Sequence, residues 1–213
     1  MKNLFSHLIP TIKKIQTEKN GILELTSYFG NKKLNSQNAN YSYGSLQRIL
    51  NFALVKINLS QVEHILLLGL GGGCVIHSLR KKFHYQKNIT AIEFDNTLIE
   101  IALNEFQLAS DKNLKVNYCD ASDYISNSKE VFGLIIIDLF IDDCVPDFCF
   151  TNQFWMEISN RTLEKGIVIF NAEVSGKNYN KLTPMVDSLK NKFSLKIFDL
   201  VEGVNTVLIA EKL

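Results

Sequence analysis

A run of glycines and a series of carboxylates carry the chemical signal of this chain. Gly69, Gly71, Gly72 and Gly73 follow Leu66-Leu67-Leu68, with GxGxG spacing at Gly69, Gly71 and Gly73, and lead into Cys74-Val75-Ile76. Glycine belongs in such a loop because a Cβ would block both the tight turn and the close approach of a ligand. A helix starting near Cys74 points free N–H groups toward whatever occupies the loop. Glu93 closes the next apolar stretch, where a carboxylate can accept hydrogen bonds from both hydroxyls of a ribose. Asp95 follows it as a helix cap. Asp120 closes the third stretch; its carboxylate suits an exocyclic adenine amine, and Ala121 offers a backbone N–H beside it. Asp138 closes the fourth, after Ile135-Ile136-Ile137. Ligands of open α/β sheets bind beyond the carboxyl ends of the strands, where these residues fall.

The elements that must position them can be read from hydrophobic period. Leu4, Phe5, Leu8, Ile12 and Ile15 recur at helical spacing, which predicts a short helix within 4–19. Residues 22–28 alternate as a strand, 29–32 turn, and Lys33-Leu34 begin a return strand. Residues 35–43 read as a polar loop, and 45–59 as a helix. Strands and helices then alternate: strands at 64–68, 88–93, 114–118, 134–138 and 167–170, with helices at 74–83, 96–106, 121–126 and 151–163. A helix at 181–192 and strands at 194–200 and 205–211 follow. Strands apolar on both faces and separated by helices predict an α/β fold with a mostly parallel sheet covered on both sides. Only Glu202-Gly203-Val204 separates the last two strands. That is too short for a parallel crossover, so they pair antiparallel as a hairpin. The chain divides into an N-terminal helix and β-hairpin appendage, 1–44, and a ligand-binding domain, 45–213.

Composition narrows the function classes. The 213 residues suffice for one core domain without a disulfide or zinc staple. Lys and Arg number 23 against 22 Asp and Glu, a net charge of +1, so no electrostatic footprint marks a partner in nucleic acid or an anionic membrane. Residues 1–10 lack the apolar core and cleavage site of a secretory signal, and the apolar runs 65–76 and 131–141 are too short to span a bilayer. Cys74, Cys119, Cys144 and Cys149 form no CxxC, which points to reduced thiols in a cytoplasmic protein, and the four histidines are dispersed, so no metal is expected.

Together these motifs resemble the class I S-adenosylmethionine-dependent methyltransferases and, more narrowly, the spermidine synthase family and its shorter relatives. The resemblance runs from Gly21 to the C-terminus. It includes the N-terminal hairpin, Tyr41-Ser42-Tyr43-Gly44-Ser45-Leu46, the glycine loop, Glu93-Phe94-Asp95, Cys119-Asp120-Ala121, Asp138, Pro146, Thr151-Asn152-Gln153-Phe154-Trp155 and 166–171. It implies a Rossmann-like seven-stranded sheet with an antiparallel last strand. It also implies that Glu93 holds the nucleoside ribose, that Asp120 and Ala121 hold adenine, and that Gly69, Gly71, Gly72 and Gly73 contact the methionine-derived part. Asp138 matches the family's proton acceptor on the attacking amine. Two departures stand out. The family's glycine motif resembles GGGDGG, and its aspartate falls here on Gly72. The second aspartate of its DxxDP-like motif falls on Ile141, with Asp142 and Asp143 just beyond.

Tyr41, Tyr43 and Gln47 occupy the family's N-terminal gate region, and with Asp142 and Asp143 they are the substrate-binding candidates. Asp142, Asp143 and Asp147 form an acidic loop that suits either a polycation or plain solvent. Phe154 and Trp155 read as packing residues. Three functions stay open at this point. One is a small-molecule methyltransferase using S-adenosylmethionine. Another is a polyamine aminopropyltransferase using the decarboxylated donor. The third is a non-catalytic nucleoside-binding protein. The expected partner is a small-molecule acceptor, an amine among the options, and relatives of the family commonly form homodimers.

Overall fold

The computed structural model describes residues 10–29, 31–35, 45–141, 144–174, 179–203 and 205–213, with the side chains of 45, 46, 173, 174 and 179 outside the description. Tyr41, Tyr43, Asp142 and Asp143 lie outside the described residues. Three strands open the fold: β1 (Thr11–Gln16), β2 (Ile22–Tyr28) and β3 (Asn31–Asn35), joined antiparallel in the order β1-β2-β3. Helix α1 (Ser45–Leu54) leads into the main domain. There β4 (His64–Leu68), α2 (Cys74–Lys81), β5 (Asn88–Glu93), α3 (Asn96–Asn104), β6 (Leu114–Tyr118), α4 (Ala121–Asn127) and β7 (Phe132–Ile137) alternate. They continue with α5 (Asn152–Arg161), β8 (Thr162–Val174), α6 (Tyr179–Leu189), β9 (Phe193–Val201) and β10 (Asn205–Lys212).

The main sheet has seven strands in the order β6-β5-β4-β7-β8-β10-β9. Strands β4 to β8 are parallel, and β10 lies antiparallel between β8 and β9. The expected C-terminal hairpin is therefore present, with the later strand on the inside.

Period-two geometry sorts the all-apolar strands onto two faces. Ile65, Leu67, Ala91, Leu134, Ile136 and Ile169 pack with Leu50 and Leu54 of α1 and Val75 and Leu79 of α2. Leu66, Leu68, Ile92, Ile135, Ile137 and Phe170 pack with Ile125 of α4, Trp155 and Ile158 of α5, and Leu182 of α6. Trp155 and Phe154 are core residues, as their sequence context implies, and the Trp155 indole Nε1–H donates to the Cys149 carbonyl at 2.9 Å.

Residues 11–16 depart from the helix read over 4–19. They form β1, because every residue there pairs with one of β2, from Thr11 opposite Ser27 to Gln16 opposite Ile22. Ile12 and Ile15 would share a helical face; in the strand they separate, and Ile12 is exposed while Ile15 packs toward Leu23, Leu25 and Leu34. The helix over 45–59 stops at Leu54, followed by a 3₁₀ turn at Leu59–Gln61. The 151–163 helix ends at Arg161, and β8 starts sooner than the apolar run suggests. Between Thr162 and Ile167 its register against β7 slips, with Lys165 at φ 61°.

Apolar packing and a buried carboxylate help fasten the small sheet to the domain. Leu23, Leu25 and Leu34 bury against Leu98 and Ile101 of α3 and against Phe106. Asp95, fully buried, caps α3 through the N–H groups of Thr97 and Leu98 at 3.0 and 3.4 Å. Its other oxygen accepts from Lys19 N (2.9 Å), Asn20 N (3.3 Å) and Asn20 Nδ2 (2.9 Å). Burial alone would raise this carboxyl, but these donors hold it below its ordinary range.

Candidate functional site

The parallel strands end on one edge, so their last residues form a row. In sheet order these are Asp120 past β6, Glu93 on β5, Gly69 past β4, Asp138 past β7, and Asn171 in β8. The order reverses at β4, the switch point where open α/β sheets leave a crevice. Backbone bonds hold the row in step. Gly69 N donates to the Ile92 carbonyl at 3.0 Å, Cys119 N to that of Glu93 at 3.0 Å, and Asp138 N to that of Leu68 at 2.9 Å.

Gly69 and Gly73 show why the loop needs glycine. Gly69 has φ 91°, and a Cβ there would overlap the Asp138 carbonyl. Gly73 has φ 74° as the cap residue of α2, and a Cβ there would strike the Leu108 side chain. The loop also closes on itself, with Gly73 N donating to the Leu70 carbonyl at 2.9 Å.

Glu93 is built into this loop. It is buried, and its carboxylate accepts four backbone N–H bonds. Oε2 takes Leu70 N (3.1 Å) and Gly71 N (3.2 Å), while Oε1 takes Phe94 N (2.9 Å) and Asp95 N (3.2 Å). A carboxylate has about four acceptor sites, so the loop and the following turn use all of them. Burial pushes this carboxyl above its ordinary range despite the four donors.

Asp120 is exposed and caps α4, with Oδ1 accepting from Ser122 N (2.7 Å) and Asp123 N (3.3 Å). Ala121 is the first residue of α4, where a backbone N–H has no acceptor within its own helix.

Asp138 keeps part of its surface exposed, but its carboxyl is surrounded by protein. Burial pushes it from the ordinary 3.8 up to about 6, with a hydrogen bond from Asn171 pulling the other way. Asn171 Nδ2 donates to Asp138 Oδ1 at 2.9 Å, and Asn205 Nδ2 donates to Asn171 Oδ1 at 2.7 Å. Sequence reasoning missed both asparagines as site residues. One signal existed: a polar residue directly after Ile167-Val168-Ile169-Phe170 in a buried strand demands a partner.

The row thus unites Gly69, Gly71, Gly72, Gly73, Glu93, Asp120, Ala121 and Asp138. Gln47, read as a gate residue, donates through Nε2 to Ser78 Oγ at 3.0 Å and so bridges α1 to α2. Asp147 of the acidic loop pairs with Lys181 at 2.6 Å on the exposed surface. Among the described residues, no helix is long and apolar enough to cross a membrane.

A glycine loop at the switch point of a seven-stranded sheet, with an antiparallel strand β10 inserted beside β8, defines a Rossmann-like fold of the class I methyltransferase kind. A family model described as the spermine/spermidine synthase domain matches residues 47–205, and the chain belongs to that family. A polyamine aminopropyltransferase of Vibrio vulnificus is 26% identical over 134 residues, 62% of this chain and 44% of that protein. A human protein named eEF1A lysine and N-terminal methyltransferase is 24% identical over 164 residues, 69% of this chain and 22% of that protein. The chain spans less than half the length of each of the curated relatives it matches. A crystal structure described as a probable spermidine synthase from Corynebacterium glutamicum superposes with a TM-score of 0.71 at 17% identity, covering 95% of this chain and 81% of that one.

Proposed function

We propose that this chain is an S-adenosylmethionine-dependent transferase that methylates a small-molecule acceptor. The observation that carries the reading is the glycine at position 72, inside an otherwise family-like row of site residues. A decarboxylated donor presents an ammonium group, which in a site of low dielectric needs a compensating carboxylate. Gly72 stands where the family places that carboxylate. The carboxylated donor brings its own negative charge and suits a loop of glycine N–H groups.

The donor set fits a sulfonium nucleoside. Asp120 and the Ala121 N–H stand side by side as acceptor and donor for adenine. Glu93 comes next along the row. Its acceptor sites are full, so a ribose diol takes its place there by exchanging with the Leu70 and Gly71 N–H groups on Oε2. At Gly69 and Gly73 the space a Cβ would need is already filled by protein, so only glycine gives the turn that presents the loop N–H groups to the remaining part. When bound, the sulfonium supplies an activated carbon and a good leaving group, so the protein mainly aligns and desolvates the reactants. An amine acceptor must be neutral to attack, and Asp138, raised to about 6 and so ionised at neutral pH, is the proton acceptor.

Aminopropyl transfer is the second reading. It is favoured by the relatives named polyamine aminopropyltransferase from Vibrio vulnificus, Aquifex aeolicus, Clostridium beijerinckii and Bacillus anthracis. Calorimetric titration with S-adenosylmethionine and with its decarboxylated form separates the two, with Asp120→Ala as the site control. Tighter binding of the carboxylated donor, weakened in the variant, is the expected result. Tighter binding of the decarboxylated donor, with putrescine-dependent release of methylthioadenosine, would establish the second reading instead. Binding of neither would overturn both.

A further inference from the structure

Asp138 is the end of a buried three-residue chain that crosses three adjacent strands. Ile137 of β7 pairs with Phe170 of β8, which sets Asp138 and Asn171 side by side one residue further on. Asn205 lies on β10, the next strand in the sheet. Asn171 is fully buried and Asn205 is 4% exposed. Two amides in a wall of Ile, Val and Phe are a net cost unless each finds partners, and these two find each other and the carboxylate.

The chain has a direction. An ionised carboxylate offers acceptors only, so Asn171 must turn Nδ2 toward Asp138. Its Oδ1 then faces Asn205, which must present its own Nδ2. The reverse arrangement would set the Asn171 carbonyl oxygen against the Asp138 carboxylate. Asn205 therefore fixes which way Asn171 points, and Asn171 fixes which oxygen of Asp138 is already engaged.

We infer that Asn171, held by Asn205, is a positioning residue that reserves Oδ1 of Asp138 as a permanent acceptor and leaves Oδ2 to take the proton from the acceptor substrate. The inference rests on the proposed role of Asp138. In that transfer the acceptor nitrogen forms its new bond to carbon as the carbon–sulfur bond breaks. The sulfur keeps that electron pair, and the nitrogen's proton moves to Oδ2. Without the relay, the carboxyl loses its fixed donor and can carry its proton on either oxygen.

The test follows the Asp138 side-chain carboxyl carbon by NMR across pH, in protein with carbon-13-labelled aspartate and with Asp138→Asn to assign the signal. Burial raises this group and the Asn171 amide lowers it. Asn171→Ala should therefore move the midpoint up by at least about half a pH unit, and Asn205→Ala should move it the same way by less. Circular dichroism confirms folding, and Asn205→Ala serves where Asn171→Ala does not fold. S-adenosylmethionine affinity should stay within about twofold of the parent, since neither amide lies on the donor side of the row. A midpoint unchanged or lowered in Asn205→Ala would overturn the relay. Turnover of Asp138→Asn with a confirmed acceptor tests the proton-acceptor role beneath it, so the two ideas fail separately.

Discussion

The backbone carbonyl of Asp138 fills the space that a side chain on Gly69 would need. The glycine loop and Asp138, the proposed proton acceptor, are therefore packed against each other through main-chain atoms. Gly69→Ala tests this. It combines a left-handed backbone (φ 91°) with a clash that only a main-chain movement relieves. Gly203→Ala is the reference, with φ 83° and open space around its Cβ. Urea unfolding should show a loss of about 1 kcal/mol for Gly203→Ala, from conformation alone. Gly69→Ala should lose on the order of 3 kcal/mol and abolish donor binding. Equal losses in the two variants would mean that the loop relaxes freely.

Glu93→Gln should destabilise the protein by about 2 kcal/mol. The glutamine retains one acceptor oxygen, and its amide N–H₂ must face two backbone donors that now lack a partner. Glu93 is nearly inaccessible before any ligand arrives, so the stability loss precedes any loss of donor affinity. Denaturant unfolding without ligand measures the first, and calorimetry the second. A variant as stable as the parent that still fails to bind would reassign Glu93 to ligand contact alone.

Asp95→Ala removes the α3 cap and the acceptor for Lys19 and Asn20 together. The cost should be roughly 2 kcal/mol, with faster hydrogen exchange at the amides of β1 and β2 than in the main sheet. The native carboxyl lies below its ordinary value of 3.8, so Asp95 stabilises the fold above that value. Its contribution fades as pH falls through the lower native midpoint. The stability gap between Asp95→Asn and the parent, read by urea unfolding, should therefore be smaller at low pH than at neutral pH.

Asp138 gives the opposite sign. Its carboxyl is raised to about 6, so between 3.8 and that value the folded chain holds a proton that the unfolded chain releases. Stability from this group falls as pH rises through that window and is level above it. Unfolding midpoints measured from about pH 4 to about pH 7 should carry this downward component in the parent and lack it in Asp138→Asn. Transfer to an amine should rise through the same midpoint, as the carboxylate forms.

Local signals made most of this architecture legible. Unbroken apolar runs ending in Gly, Glu, Asp and Asp located four strand ends, and a three-residue link dictated the antiparallel hairpin. What escaped was set by pairings that no local pattern shows. β1 has the spacing of a helix, and pairing with β2 overrides it. Glu93 was legible as a strand-end carboxylate, but its commitment to the loop depends on how Leu70 and Gly71 fold back toward it. Asn171 and Asn205 are 34 residues apart, with no motif between them, and meet Asp138 only because β10 inserts next to β8.

That insertion orders events during synthesis. β9 leaves the ribosome before β10, yet β10 is the strand that joins β9 to β8. Until it arrives, β8 presents a bare hydrogen-bonding edge and β9 has no partner in the sheet. The nascent chain can assemble the glycine loop and its carboxylates first, while the amide that orients Asp138 is still to come. The Glu93 side of the crevice can thus form as the chain emerges, whereas the Asp138–Asn171–Asn205 chain waits for the β10 segment.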